Sequence, residues 1–191
     1  MASEPAFFCE LICLAFRSNK DIKKKTEVSK EKKALAENAY RLLGEWHTPP
    51  GTDAENIFSE KLFKQWIDCV VESCKKSGHL DIALQQIGNV LIYSPSDPNG
   101  LWINKVIAEV LNKKEFEDMR IGYSTGIFNS RGVHWVDPTG NPEKELAEKY
   151  RQQAEDVEMR GYHRFASALR DLADSYDREA ERIVEEHQIE E

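Results

Sequence analysis

The stretch Asn129-Ser-Arg-Gly-Val-His-Trp-Val-Asp-Pro-Thr-Gly-Asn-Pro142 gathers an arginine fork (Arg131), an imidazole (His134), an indole (Trp135) and a carboxylate (Asp137) within a few residues. An arginine beside an anchored aromatic is a recognition pair for a carboxylate, a phosphate or a partner helix. An imidazole with an acid nearby is the minimum equipment for proton transfer. Two assignments compete. In the structural one, Trp135 plugs the segment into the core while Arg131 and Asp137 satisfy loop carbonyls and helix ends. In the other, Asn129, Arg131, His134, Trp135 and Asp137 form a partner-binding patch, with Trp102 as a further candidate. A loop this long in a compact domain has a function or is disordered, and Val133, Trp135 and Val136 demand burial. The expectation is therefore an ordered loop over 128–142 with Trp135 at least half buried and Arg131 and His134 exposed.

Other chemistry is sparse. Cys9 and Cys13 are one helical turn apart and form, with Cys69 and Cys74, the only thiol set. Zinc chelation by the four is the weaker reading, because structural zinc sites draw at least one pair from a tight turn. Cysteines inside apolar runs act as small buried hydrophobes. Without a secretory signal, free thiols in a reducing compartment are expected. The chain lacks a glycine-rich phosphate loop, a Gly-x-Ser-x-Gly elbow and a His-Glu-x-x-His pair. His47, His79, His134, His163 and His187 are scattered singly, and acid pairs such as Glu155 with Asp156 are adjacent and diverge on a helix. No catalytic residue, cofactor or metal site is assigned.

The elements that must position these groups are helices, because the apolar period is helical nearly throughout and nothing alternates. The spacing predicts a first helix over about 5–18, then a Lys-rich stretch over 19–33. A second helix carries Leu35, Ala39, Leu42, Leu43 and Trp46 on one face and ends at Thr48-Pro-Pro-Gly51. Ser59 caps a third, with Leu62, Phe63, Trp66, Val70 and Cys74 inward. Leu80, Ala83, Leu84, Ile87 and Leu91 line a fourth. Asp97-Pro98 is expected to start a fifth, buried through Leu101, Val106, Ile107, Val110 and Leu111. Phe116, Met119, Tyr123 and Ile127 carry a sixth. Asn141-Pro142-Glu143 opens a long helix with Leu146, Tyr150, Ala154 and Val157 inward. Beyond Gly161, the positions Tyr162, Phe165, Leu169, Leu172, Tyr176 and Ile183 form a stripe that pairs with it antiparallel.

One phrase has the offsets of a known binding scaffold. From Gly78 to Pro95, the Gly, Leu80, Ala83 and the closing Pro fall where the second helix of a tetratricopeptide-type hairpin has them. Gly161 and Ala166 repeat the Gly-to-Ala offset without a closing proline. This gives one tetratricopeptide-like hairpin with irregular neighbours and no regular solenoid.

Composition bounds function further. The 191 residues are 40% hydrophobic and carry a net charge of −8, which disfavours a general grip on nucleic-acid phosphates. The charge is uneven. Residues 17–33 hold eight bases against three acids, and residues 143–191 fifteen acids against eight bases; the two stretches are either solvated faces, or the basic segment docks on the acidic C-terminal helix. The apolar run Pro5 to Phe16 is interrupted by Glu10 and too short to span a membrane.

The phrases Gly100-Leu-Trp-Ile, Phe116-Glu-Asp-Met-Arg, Phe128-Asn-Ser-Arg-Gly-Val-His-Trp-Val-Asp-Pro-Thr-Gly and Pro142-Glu-Lys-Glu-Leu-Ala-Glu-Lys-Tyr resemble the C-terminal part of large, uncharacterised bacterial proteins, from about residue 4 onward. Some of those look like antidote-type regulators with a DNA-binding helix-turn-helix elsewhere. The resemblance supplies no catalytic residues and implies that Met1-Ala2-Ser3 is an appended start on a fragment of something larger. The resulting expectation is an all-α, single helical domain over 1–191, a helix-hairpin bundle with sub-units 4–127, 128–142 and 143–191. Its expected role is non-enzymatic protein interaction or scaffolding in a bacterial cytoplasm, with a protein partner or a flanking domain, no membrane and no cofactor. The alternatives are an antidote-type nucleic-acid-linked regulator using residues 17–33, and an enzyme with a site around Arg131, His134 and Asp137.

Overall fold

A computed structural model describes residues 1–19, 29–132 and 136–189. It is 70% helical, and the described residues form eight α-helices and one short 3-10 turn, Lys114–Phe116. The all-α expectation holds.

The helices start where local chemistry dictates. Pro5 occupies the first turn of α1 (Pro5–Ala15). The Ser29 and Ser59 hydroxyls accept from Lys32 N and Leu62 N, capping α2 (Lys30–Gly44) and α3 (Glu60–Ser77). Gly78, at φ 79°, closes α3 in the left-handed conformation, and α4 (Leu80–Leu91) follows at once. The N-terminus is tied down: Gly51 N donates to Ala2 O, and the Trp66 indole donates to Met1 O. Phe8, Trp46 and Trp66 then form an aromatic triangle with centroids 5.1 to 5.9 Å apart.

The fifth helix departs from expectation. Asp97 does not cap it; α5 is only Lys105–Leu111, and Asn104 caps it through Val106 N at 2.9 Å. Asp97 instead folds the preceding turn, accepting from Asn99 N at 2.8 Å and from Lys105 N at 3.0 Å. Those backbone donors hold its carboxyl below the usual carboxylate range. Asp-Pro carries the signature of a helix start because an Asx turn and an N-cap use the same acceptor chemistry.

Other expectations are corrected at the surface. Leu35, Leu42 and Leu62 are exposed rather than buried. Val136 is exposed, and so are Cys13 and Cys69. Helix α1 ends at Ala15, short of residue 18. The Lys-rich stretch falls largely outside the described residues.

Helix α6 (Glu117–Ser130) crosses α4 at backbone contact. A Cβ added at Gly88 would meet Met119 O at 2.1 Å, and one at Gly126 would meet the Asn89 backbone at 2.9 Å. The Gly122-x-x-x-Gly126 spacing puts both glycines on one helix face, the small-residue device that lets helices touch. The last two helices, α7 (Asn141–Glu158) and α8 (His163–Ile189), form the most extensive helix–helix contact among the described residues, as expected from their stripes. Phe165, Leu169, Leu172, Tyr176 and Ile183 are all buried. One cluster of buried side chains runs from Phe8 to Tyr176, so α1 to α8 share it. No helix among the described residues is long and apolar enough to cross a membrane.

Candidate functional site

The segment after α6 is built around an ion pair. Arg131, at the C-terminal end of α6, donates to Glu143 Oε1 at 2.8 Å. Glu143 sits in the first turn of α7, where the positive helix end favours an acid, and its side chain is only 2% exposed. Arg131 is 19% exposed and lies over the Tyr176 ring, its Cζ 5.5 Å from the centroid. Tyr176 is sandwiched between Phe128 at 4.8 Å and Tyr150 at 5.6 Å, both rings nearly parallel to it. The expected exposed Arg131 is thus a strut that joins α6, α7 and α8. Among the described residues it is held by a carboxylate and not by loop carbonyls.

The other residues singled out from sequence fall in three places. Asp137 Oδ1 accepts from Thr139 N at 2.9 Å and from the Thr139 hydroxyl at 2.7 Å, which holds its carboxyl below the usual range. That turn leads to Gly140, whose φ of 65° and approach to Ala180, where a Cβ would come within 2.8 Å of the carbonyl oxygen, both require glycine. Asn129 is exposed at the end of α6 and lines a cleft of about 220 Å³ with Gln86, Asn89 and His47. Trp102 is half-buried between Tyr123 and Phe165, with centroids at 6.5 and 6.0 Å, and packs against the core. His134 and Trp135 lie outside the described residues, and so does the expected burial of Trp135. Arg131 and Asp137 are therefore occupied by their own neighbours, while Asn129 faces solvent.

Reading single residues missed a groove between the outer faces of α6 and α8. Lys114, Glu117, Arg120, Ile121, Arg164 and Asp171 line one cleft of about 550 Å³. An adjoining hollow shares Ser124, Thr125 and Asp171 and continues to Phe128 and Ser175. Ile121 and Phe128 are large apolar groups that are 50% and 40% exposed. Arg120 is anchored by donating to Leu111 O and Lys113 O. Burial pulls its guanidinium below the usual value, Glu117 opposes this, and the neighbouring Arg164 charge adds to it. Among the described residues no carboxylate comes within ion-pair distance of Lys114, Arg120 or Arg164. The groove therefore carries Lys114, Arg120 and Arg164 at one end, with Glu117 and Asp171 in the same wall, and exposed apolar groups along its length. The signal in the sequence was the outward pair Ile121 and Phe128, seven residues apart on one helix face.

The cysteines meet between α1 and α3. Cys74 Sγ lies 3.6 Å from Cys9 Sγ, and Cys13 Sγ lies 3.7 Å from His79 Nδ1. His79 Nε2 faces Phe16 O at 3.3 Å and must carry its proton there, since a carbonyl only accepts. Among the described residues, no three His, Cys, Asp or Glu side chains are arranged to hold a metal ion. No family model matches this chain, and no curated protein or solved structure matches it either.

Proposed function

We propose that this chain is a non-enzymatic protein-interaction domain of a cytoplasmic bacterial protein, and that the α6–α8 groove receives the partner. The observation that carries the reading is the combination, in one groove, of exposed Ile121 and Phe128 with Lys114, Arg120 and Arg164, three cations that form no ion pair among the described residues. A partner segment with an apolar face and an acidic end fits both features. The tetratricopeptide-like phrase from Gly78 to Pro95 supports the same scaffold reading. Phe128 and Asn129 extend the surface to the C-terminal end of α6, which Arg131 holds in register through Glu143.

The test is affinity capture from the source cell with the bound protein cross-linked through amines and the cross-links mapped. Linkage to Lys114 and a loss of capture of about tenfold or more for Ile121→Asp are expected, tenfold being the effect of one modest anchor residue. Leu35→Asp, on the exposed face of α2, should capture as the parent does. Loss through Leu35→Asp with Ile121→Asp unaffected would move the interface off the groove.

A further inference from the structure

We propose that Cys9 and Cys74 form a reversible dithiol–disulfide couple that peroxide oxidises, with Cys9 as the attacking thiol and Cys74 as the resolving one. The pair joins the middle of α1 to α3 and holds its sulfurs 3.6 Å apart, with the Cys74 thiol donating to Cys9 Sγ. A disulfide bond is about 2 Å long, so the sulfurs have less than 2 Å to close from the 3.6 Å at which they rest. Exposure divides the roles. Cys9 is half-buried and accessible to a small oxidant, whereas Cys74 is fully buried in the core cluster.

The protonation pattern agrees with the geometry. The hydrogen bond from Cys74 draws the Cys9 thiol below its ordinary value, against the effect of burial. The same bond, then burial, pushes the Cys74 thiol up. Of the two thiols Cys9 is therefore the one that loses its proton first, and the thiolate is the form that reacts. In the first step the Cys9 thiolate attacks hydrogen peroxide; an S–O bond forms, the O–O bond breaks, and hydroxide leaves, so that Cys9 becomes a sulfenic acid. In the second step the Cys74 sulfur attacks Cys9; an S–S bond forms, the S–O bond breaks, and the departing hydroxyl takes the Cys74 proton to leave as water. Sulfur is oxidised and peroxide oxygen is reduced. A dithiol reductant reverses the couple by exchange.

The competing thiols are Cys13, exposed beside His79, and exposed Cys69. Neither has a second sulfur within bonding reach among the described contacts, so their oxidation leads to sulfenic acid or to links between molecules.

The experiment treats the full chain with stoichiometric hydrogen peroxide under native conditions, quenches with an alkylating agent and maps the peptides. The expected product is one intramolecular Cys9–Cys74 disulfide, restored to two thiols by dithiothreitol. It should form equally in a Cys13→Ser, Cys69→Ser double variant and vanish in Cys9→Ser. Mapping of the unsubstituted chain decides the question even if a variant folds poorly. Oxidation confined to Cys13 or Cys69, covalent dimers in place of the internal link, or four thiols left unreacted would each overturn the proposal.

Discussion

Gly122 of α6 rests on Gln85 of α4 so closely that a Cβ on Gly122 would sit 2.0 Å from the Gln85 carbonyl oxygen. Backbone cannot yield there without parting the two helices, which meet along the length of the crossing. Gly122→Ala should destabilise the chain by at least the ~1 to 3 kcal/mol of ordinary overpacking. Gly44→Ala, which meets no atom within 4 Å, should be neutral or stabilising by up to ~1 kcal/mol. Urea midpoints of the two variants check this, and equal values would show that α4 and α6 separate at little cost.

How far the sequence revealed this architecture depended on the distance over which each element is determined. The α7–α8 pair was legible because Phe165, Leu169, Leu172 and Tyr176 repeat at helical spacing and all point inward. The Ser59 cap and the Gly78 stop were legible because each acts within a few residues. The α4–α6 crossing was not, since Gly88, Gly122 and Gly126 acquire meaning only when facing another backbone. The α6–α8 groove escaped for the same reason, as its walls come from residues some forty positions apart, from Arg120 to Arg164. The role of Arg131 is not legible locally because its partner Glu143 lies twelve positions on, in the first turn of another helix.

The Arg131–Glu143 pair predicts a stability effect where a surface arginine would show none. Arg131→Ala removes an ion-pair partner from a carboxylate that is almost fully buried. It should cost on the order of 3 kcal/mol, the range for breaking a buried ion pair from one side. Arg160→Ala, at an exposed arginine, should stay within ~0.5 kcal/mol of the parent. Thermal melts of both variants measure the difference; a neutral Arg131→Ala would return that side chain to the surface.

Alkaline pH should loosen the α6–α7–α8 contact. Burial pushes Tyr150 up to about 12, raises Tyr123 well above the ordinary phenol value of 10.0, and raises Tyr176 with Arg131 opposing. An unfolded tyrosine loses its proton near pH 10 while the folded one keeps it, so the native state binds more protons across that window. Stability is then fully present below pH 10 and falls as pH rises toward 12. Melting temperatures followed from pH 8 to pH 11 should be flat and then decline, with a shallower decline for Tyr150→Phe. Equal slopes for parent and variant would mean that Tyr150 ionises freely in the folded chain.

Asn112 provides the remaining test, because it caps a helix other than its own. It ends α5, yet its Oδ1 accepts from Arg164 N at 2.8 Å and Phe165 N at 3.4 Å, in the first turn of α8. The first four amides of a helix lack internal partners, so one side-chain oxygen from α5 both satisfies two of them and fixes where α8 begins. Asn112→Ala should cost ~1 kcal/mol, the usual loss of an N-cap acceptor. Asn112→Asp keeps the oxygen and adds a charge of the sign that the helix start favours, so it should hold or exceed the parent's stability. Arg164 belongs to that first turn and to the groove wall, which couples the cap to binding. The alanine variant should therefore also weaken partner capture, whereas the aspartate variant, placing an acid beside Arg164, should keep the fold and lose part of the capture. If both variants melted and captured like the parent, the start of α8 would be set by its packing alone.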